Sequence, residues 1–171
     1  MNLRFEPLAR GHDRRAFTCG VDDLDEWFRA RASQDQRRRI AQVFVAIDEQ
    51  GIAGFYSLSM YTLALDSIPA ELARKLPCYD AIPAALIGRL ARHQRTAGTG
   101  IGDLLVADAI TRVLNAAKAV AAYAIVVDAK DDRGPKFYEA HGFLSLPSRP
   151  NRLFLPTETA AAALLAASRG R

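Results

Sequence analysis

The feature that most constrains this chain is a run of three glycines at alternate positions, Gly98-Thr99-Gly100-Ile101-Gly102, set between an extended stretch and a long helical pattern. Glycine has no Cβ, so the backbone here can turn tightly and come within contact distance of a ligand. The turn opens on a helix start, whose first N–H groups lack partners in the helix and carry partial positive charge. Strand, glycine turn and helix start together form a cradle for a diphosphate, and Arg95 sets a full charge at its lip. The order Gly-x-Gly-x-Gly is not the dinucleotide fingerprint, and no Gly-Lys-Ser/Thr follows, so a P-loop is excluded.

The rest of the chain reads as an alternation of strands and helices. A strand is predicted over Leu3–Leu8, and an amphipathic helix from an Asp22 N-cap to about Arg38, with Leu24, Trp27 and Phe28 on its buried face. A hairpin follows, Val43–Ile47 and Ile52–Leu65, turning at Gly51. A short helix opens at Ser67 and Pro69 and runs to about Leu76, before a loop bounded by Pro77 and Pro83. The strand Ile82–His93 feeds the glycine turn. A helix from Gly100 to about Ala119 should bury Val106, Ile110, Val113, Leu114 and Ala117. Tyr123–Val127 is a continuous apolar strand, as expected when both faces are covered. A helix beginning at Asp131-Asp132, with Pro135 in its first turn, ends at His141-Gly142. Strands Phe143–Leu146 and Arg152–Leu155 and an alanine-rich helix, Thr157–Ser168, complete one mixed α/β domain over 1–171.

Composition narrows the class. Half of the 171 residues are apolar and a quarter are charged, which is ordinary for a globular protein. No signal peptide is expected, and the apolar stretch Ala160–Ala167 is too short to cross a bilayer, so the reading is cytoplasmic with no membrane contact. Cys19 and Cys78 are expected as free thiols, and neither has metal-ligand spacing. The net charge is +4, carried mostly by arginine, and points to a polyanionic partner.

The spacing Arg95-Thr-Ala-Gly98-Thr-Gly100 resembles the Arg/Gln-x-x-Gly-x-Gly/Ala motif of the GNAT acyltransferases. About 40 residues on, Asp131-Asp-Arg-Gly-Pro-Lys-Phe-Tyr138-Glu-Ala-His-Gly142-Phe143 resembles that family's Asn-x-x-Ala-x-x-Phe-Tyr-Glu-x-x-Gly-Phe, with Asp131 at the Asn position and Gly134 at the Ala position. The order of elements is also that of the family. Within it, Phe17-x-Cys19-Gly20-x-x-x-Leu24-Asp25-x-Trp27-Phe28, Gly88-Arg-Leu-Ala91 and Leu153-Phe-Leu-Pro156 resemble the acetyltransferase toxins of bacterial toxin–antitoxin pairs. The chain departs from the family in having Arg92 and His93 where Val-Asp-Arg is usual, and Ala97 in place of a common Gln.

The resemblance implies a GNAT fold with a mixed, mostly antiparallel sheet flanked by helices. It implies acetyl-CoA as co-substrate and no metal, with aminoacyl-tRNA as acceptor. It also implies translation block, a neutralising ribbon-helix-helix antitoxin that represses the operon, and a homodimer. Acetyl-CoA would be held by Leu90, Ala91, Arg95, Thr96, Ala97, Gly98, Thr99, Gly100, Ile101, Gly102, Asp131 and Phe137. Tyr138 would protonate the departing thiolate, since an ordinary phenol pKa near 10 lies close to that of a thiol. A strand N–H near Leu90 or Ala91 would polarise the carbonyl. His93 is the obvious general base to test. Arg37, Arg38, Arg39, Arg89, Arg92 and His93 are the candidates for substrate and tRNA contact, with Arg10, Arg14, Arg15, Arg149 and Arg152 as further arginines suited to phosphate. The alternatives are a GNAT enzyme acting on a small amine or a protein amino group, and an inactive module that only binds a regulator.

Overall fold

The computed structural model describes residues 2–76, 79–130 and 133–170. The strands are β1 (Arg4–Pro7), β2 (Gln42–Asp48), β3 (Gly51–Ala64), β4 (Ala81–Arg92), β5 (Ala124–Asp128), β6 (Leu144–Leu146) and β7 (Arg149–Pro156). They form one seven-stranded sheet in the order β1-β2-β3-β4-β5-β7-β6. The pairs β1·β2, β2·β3, β5·β7 and β6·β7 are antiparallel. This is the expected mixed α/β architecture with a mostly antiparallel sheet.

Contacts divide the chain into two compact units, Met1–Ser59 with Ile87–Ala109, and Met60–Leu86 with Ile110–Arg171. In the first, the β2–β3 hairpin turns at Gly51, whose φ of 112° suits glycine. Its core is aromatic: Phe28 stacks on Phe55 with centroids 4.0 Å apart, and Phe17 meets both edge-on. Such offset and edge contacts each contribute about 0.5–1.5 kcal/mol beyond area burial. Leu24, Trp27 and Phe28 are buried as their spacing predicts.

The helix carrying them is less regular than expected. It runs as α1 (Asp22–Glu26), a π-turn (Trp27–Arg31) and α2 (Ala32–Arg37). Its N-cap is Val21 and not Asp22, which lies inside the first turn with its carboxylate favourably near the helix N-terminus. Arg39 closes it at φ 59°, a conformation rare outside glycine.

In the second unit, Leu63, Ile82, Ala124, Val126, Leu146 and Phe154 form the core, and β5 is buried from Ala124 to Val127 as its apolar run predicts. The short helical pieces before β4 are a 3-10 turn, Leu65–Ser67, and α3 (Ala70–Ala73). Helix α4 (Ile101–Ala116) buries Ile101, Leu105, Val106, Ala109 and Val113. That face is rotated from the predicted one, and Ile110, Leu114 and Ala117 are only half-buried. The cause lies in the first unit, where a Cβ on Gly54 would stand 2.7 Å from Leu105 Cδ1 and 3.0 Å from Ala91 O. The missing side chain lets the start of α4 settle directly on the sheet. Helix α5 (Gly134–Glu139) has Pro in its first turn, and Gly142 follows it at φ 88° as a C-terminal cap. Helix α6 (Thr157–Arg169) ends the chain. Among the described residues no helix is long and apolar enough to cross a membrane.

Candidate active site

Strand β4 ends where His93 N–H donates to Ala53 O at 2.7 Å. The chain then winds into a 3-10 turn, Gln94–Thr96. His93 Nδ1 accepts from Arg95 N–H at 3.1 Å, and Nε2 lies 3.2 Å from Ala16 O. These partners assign the proton to Nε2 and occupy both ring nitrogens, so the candidate base has no free lone pair and acts here as a brace. The N–H groups of Thr96, Ala97 and Thr99 are also taken, by His93 O, Gln94 O and Thr96 O. Thr96 Oγ1 donates to His93 O, and Thr99 Oγ1 to Thr96 O.

What remains open is specific. The N–H groups of Gly98, Gly100, Ile101 and Gly102 have no hydrogen-bond partner among the described residues. Gly98 and Gly100 adopt φ 74° and 80°, which turns the backbone before α4 as only glycine does without strain. Four amides and the positive end of a 16-residue helix make an anion cradle, and its donor set fits a diphosphate. The Arg95 side chain is not part of it. Its guanidinium forks onto Asp48 at 2.6 and 2.8 Å and reaches the carbonyls of Gly51 and Ile52. That bond holds the Asp48 carboxyl below the usual range. The charge expected at the cradle lip thus ties the turn to the β2–β3 hairpin.

The predicted acid lies in the second unit. Tyr138 on α5 is buried, edge-on to Phe137 and Phe143 at 5.1 and 5.7 Å. Burial pushes its pKa up to about 12, and the Asp128 carboxylate adds to the rise. The premise of an unperturbed phenol matched to a free thiol is therefore corrected. Gly134, at the motif's Ala position, has its cause here: a Cβ would stand 2.7 Å from Ala129 Cβ. Asp131 and Cys78 lie outside the described residues.

No family model matches the chain. It is 32% identical over 164 residues to a probable toxin TacT of Sinorhizobium fredii, covering 90% of this chain and 91% of that protein. It is 32% identical over 148 residues to a tRNA-acetylating toxin of Mycobacterium tuberculosis, covering 86% and 88%. The chain belongs to the tRNA-acetylating toxin family of GNAT N-acetyltransferases. Among solved structures, AtaT complexed with acetyl-methionyl-tRNAfMet matches with a TM-score of 0.88 at 26% identity, over 95% of this chain and 99% of that one. A tyrosine-to-phenylalanine mutant of AtaT, bound to the C-terminus of the antitoxin AtaR and acetyl-CoA, matches with a TM-score of 0.81 at 25% identity, over 95% and 98%.

In this member of the tRNA-acetylating toxin family the arginines expected to face RNA occupy two settings. Arg37, Arg38, Arg39 and Arg92 are exposed. Arg89 instead lies over the Trp27 ring, 4.2 Å from its centroid, and its N–H donates to Ser57 Oγ. Burial pushes its pKa down, and Trp27 is itself held by Asp35 through Nε1 at 2.8 Å. Arg89 is thus an ordered cation on an aromatic shelf. Leu90 is half-buried and Ala91 packs into the first unit's core. Arg152 forks onto Asp128 at 2.6 and 2.7 Å, over the ring of Tyr61. The sequence reading missed the Arg95–Asp48 and Arg152–Asp128 pairs. Arg10, Arg14 and Arg15, expected among the phosphate contacts, line one recess together with Arg29, which the sequence did not single out. Among the described residues no cluster of His, Cys, Asp or Glu is placed to hold a metal.

Proposed function

We propose that this chain is an acetyl-CoA-dependent N-acetyltransferase that acetylates the α-amino group of aminoacyl-tRNA, acting as the toxin of a toxin–antitoxin pair. The observation that carries the reading is the set of four unpartnered amides at the start of α4, in a chain of this family. Gly98, Gly100, Ile101 and Gly102 would grip the diphosphate. Acetyl-CoA supplies an acetyl group activated as a thioester. The acceptor nitrogen attacks the carbonyl, the C–S bond breaks, and the sulfur takes the Tyr138 hydroxyl proton. The nitrogen loses its own proton to water, and Tyr138 is reprotonated from solvent. A strand amide near Leu90 or Ala91 would polarise the carbonyl, Phe137 would pack on the cofactor, and Asp131 would complete its site.

An α-amine has a pKa near 8 against about 10.4 for lysine, so about a tenth of it is neutral at pH 7 without a base. That suits a site in which His93 is already occupied. Relatives aligned over nine-tenths of the chain support reading it as one acetyltransferase domain. With tRNA as its substrate the enzyme would work in the cytoplasm, as a homodimer, with a ribbon-helix-helix protein as its antitoxin.

The test is to incubate the purified chain with labelled acetyl-CoA and charged tRNA, then digest the RNA. Label is expected on aminoacyl-adenosine, and Tyr138→Phe should lower the rate about 10²–10⁴-fold without changing the KM for acetyl-CoA. The wild-type rate should rise as the amine loses its proton near pH 8, with no fall by pH 10, because Tyr138 keeps its proton to about 12. Label confined to protein lysines would overturn the reading.

A further inference from the structure

The segment between β1 and α1 bends around a recess of about 330 Å³ lined by Arg10, His12, Asp13, Arg14, Arg15 and Arg29. Its charges are unequally matched. Arg15 lies on Asp13 through two bonds of 3.0 and 2.8 Å. His12 is taken by Glu6 and by the N–H of Ala9. Arg14 and Arg29 are anchored differently. Arg14 Nη1 donates to Phe28 O at 2.7 Å, beside the wide π-turn, with its guanidinium 5.9 Å from the Phe28 ring centroid. Arg29 Nε and Nη2 donate to Phe17 O at 3.2 and 2.9 Å, with Asp25 at a looser 3.5 Å. A carbonyl fixes the Arg14 guanidinium in place without neutralising it, whereas Arg29 also has the Asp25 carboxylate beside it. Burial accordingly depresses the Arg14 pKa with no carboxylate beside it to offset the lost water. Arg10 is exposed and has no ion pair among the described residues.

The segment that follows the recess braces the 3-10 turn after β4. Ala16 O and Thr18 O accept from His93 Nε2 and Gln94 N–H, while Phe17 O accepts from Arg29. Three successive carbonyls of one segment thus brace the turn and hold the recess arginine in alternation.

We propose that this recess is a second anion site, seating a backbone phosphate of the RNA substrate beside the segment that braces the turn after β4. Ordered guanidinium forks match the geometry of a phosphate oxygen pair, and a repeating polyanion answers the chain's +4 charge. The inference rests on the tRNA reading above.

The experiment measures equilibrium binding of uncharged tRNA to wild type, Arg10→Ala, Arg14→Gln and the double variant, from about 50 to about 200 mM salt. Each substitution should weaken binding about 3- to 10-fold at low salt and flatten the log–log salt slope by about 1. The KM for acetyl-CoA should not move. Because Arg14 also holds Phe28 O, the exposed Arg10→Ala separates lost charge from lost packing. Wild type that labels tRNA, with variants that bind it equally well, overturns this inference alone. A raised KM for acetyl-CoA with RNA affinity intact would assign the recess to the cofactor's own phosphate and also overturn it. The same holds if RNA binding is kept and affinity for an acidic peptide is lost. Arginine-dependent RNA binding without transfer would sustain the recess and remove the proposed reaction, and wild type that neither binds nor labels tRNA overturns both.

Discussion

Two basic segments of the first unit use arginine in opposite ways. In the turn after β4, Arg95 rests on a carboxylate, so the pair presents no net charge and the groups left to meet an anion are main-chain amides. In the recess after β1, Arg14 rests on a carbonyl with no carboxylate partner, so its positive charge stays available, while Arg29 has the Asp25 carboxylate at 3.5 Å besides Phe17 O. The counterpart decides the role. An arginine on aspartate is an element of the fold, whereas one on a carbonyl alone keeps its charge.

The largest effect that could break this contrast comes from disturbing the amides. Gly100→Val forces a β-branched residue to φ 80°, a conformation that costs an L-residue roughly 1–2 kcal/mol and a branched one more. Relief requires the loop to rotate its N–H groups away. Loss of two charge-assisted bonds corresponds to about 3 kcal/mol, so acetyl-CoA affinity should fall about 100-fold by calorimetry while the chain stays folded. Unchanged affinity would mean that the amides do not bind the diphosphate.

Arg95→Ala is next in size and acts on a different quantity. Asp48 has only 3% of its side chain exposed and would lose its counter-ion. The expected cost is about 1–3 kcal/mol in urea denaturation, between the values for exposed and buried pairs. Acetyl-CoA affinity should change less than about threefold, because no cradle amide is touched. The sign with pH follows from the lowered Asp48 pKa. Its stabilisation is present above the unfolded value of about 3.9 and is lost as pH falls through the lower folded value. Wild type and variant should therefore converge in stability below about pH 4. A large loss of cofactor affinity in Arg95→Ala would return the charge to the cradle.

Local signals in the chain proved readable where a single residue type answers one geometric demand. Gly51, Gly98, Gly100 and Gly142 all stand at positive φ, and a turn or cap was legible at each. Leu24, Trp27 and Phe28 fell on the buried face as spaced, yet the same spacing did not reveal the π-turn, since one widened turn barely shifts a short apolar stripe. The α4 face was misplaced because its orientation is set by the close approach at Gly54, far away in sequence. The site shows the same division. Its glycines and Tyr138 stood out as motifs, while the Arg95–Asp48 pair joins residues 47 apart and the Asp48 turn looked like a turn only. An arginine's partner is a tertiary fact.

The smallest predicted effect bears on the general base. His93 gives a lone pair to Arg95 N–H and a proton to Ala16 O, and the edge of Phe17 lies against it at 5.4 Å. His93→Gln supplies an amide with both an acceptor and a donor, so a bracing role should survive at a cost of about 0.5–1.5 kcal/mol in stability. The rate and its pH dependence should stay within a few-fold of wild type, because the acceptor amine reaches its neutral form unaided. A base acting on the amine contributes about 10²–10⁴ in rate, and its removal would also shift the lower limb of the profile toward the amine's own pKa near 8. A fall of that size, with stability unchanged, would show that the ring leaves its two partners during turnover and that the turn after β4 is less fixed than its hydrogen bonds make it.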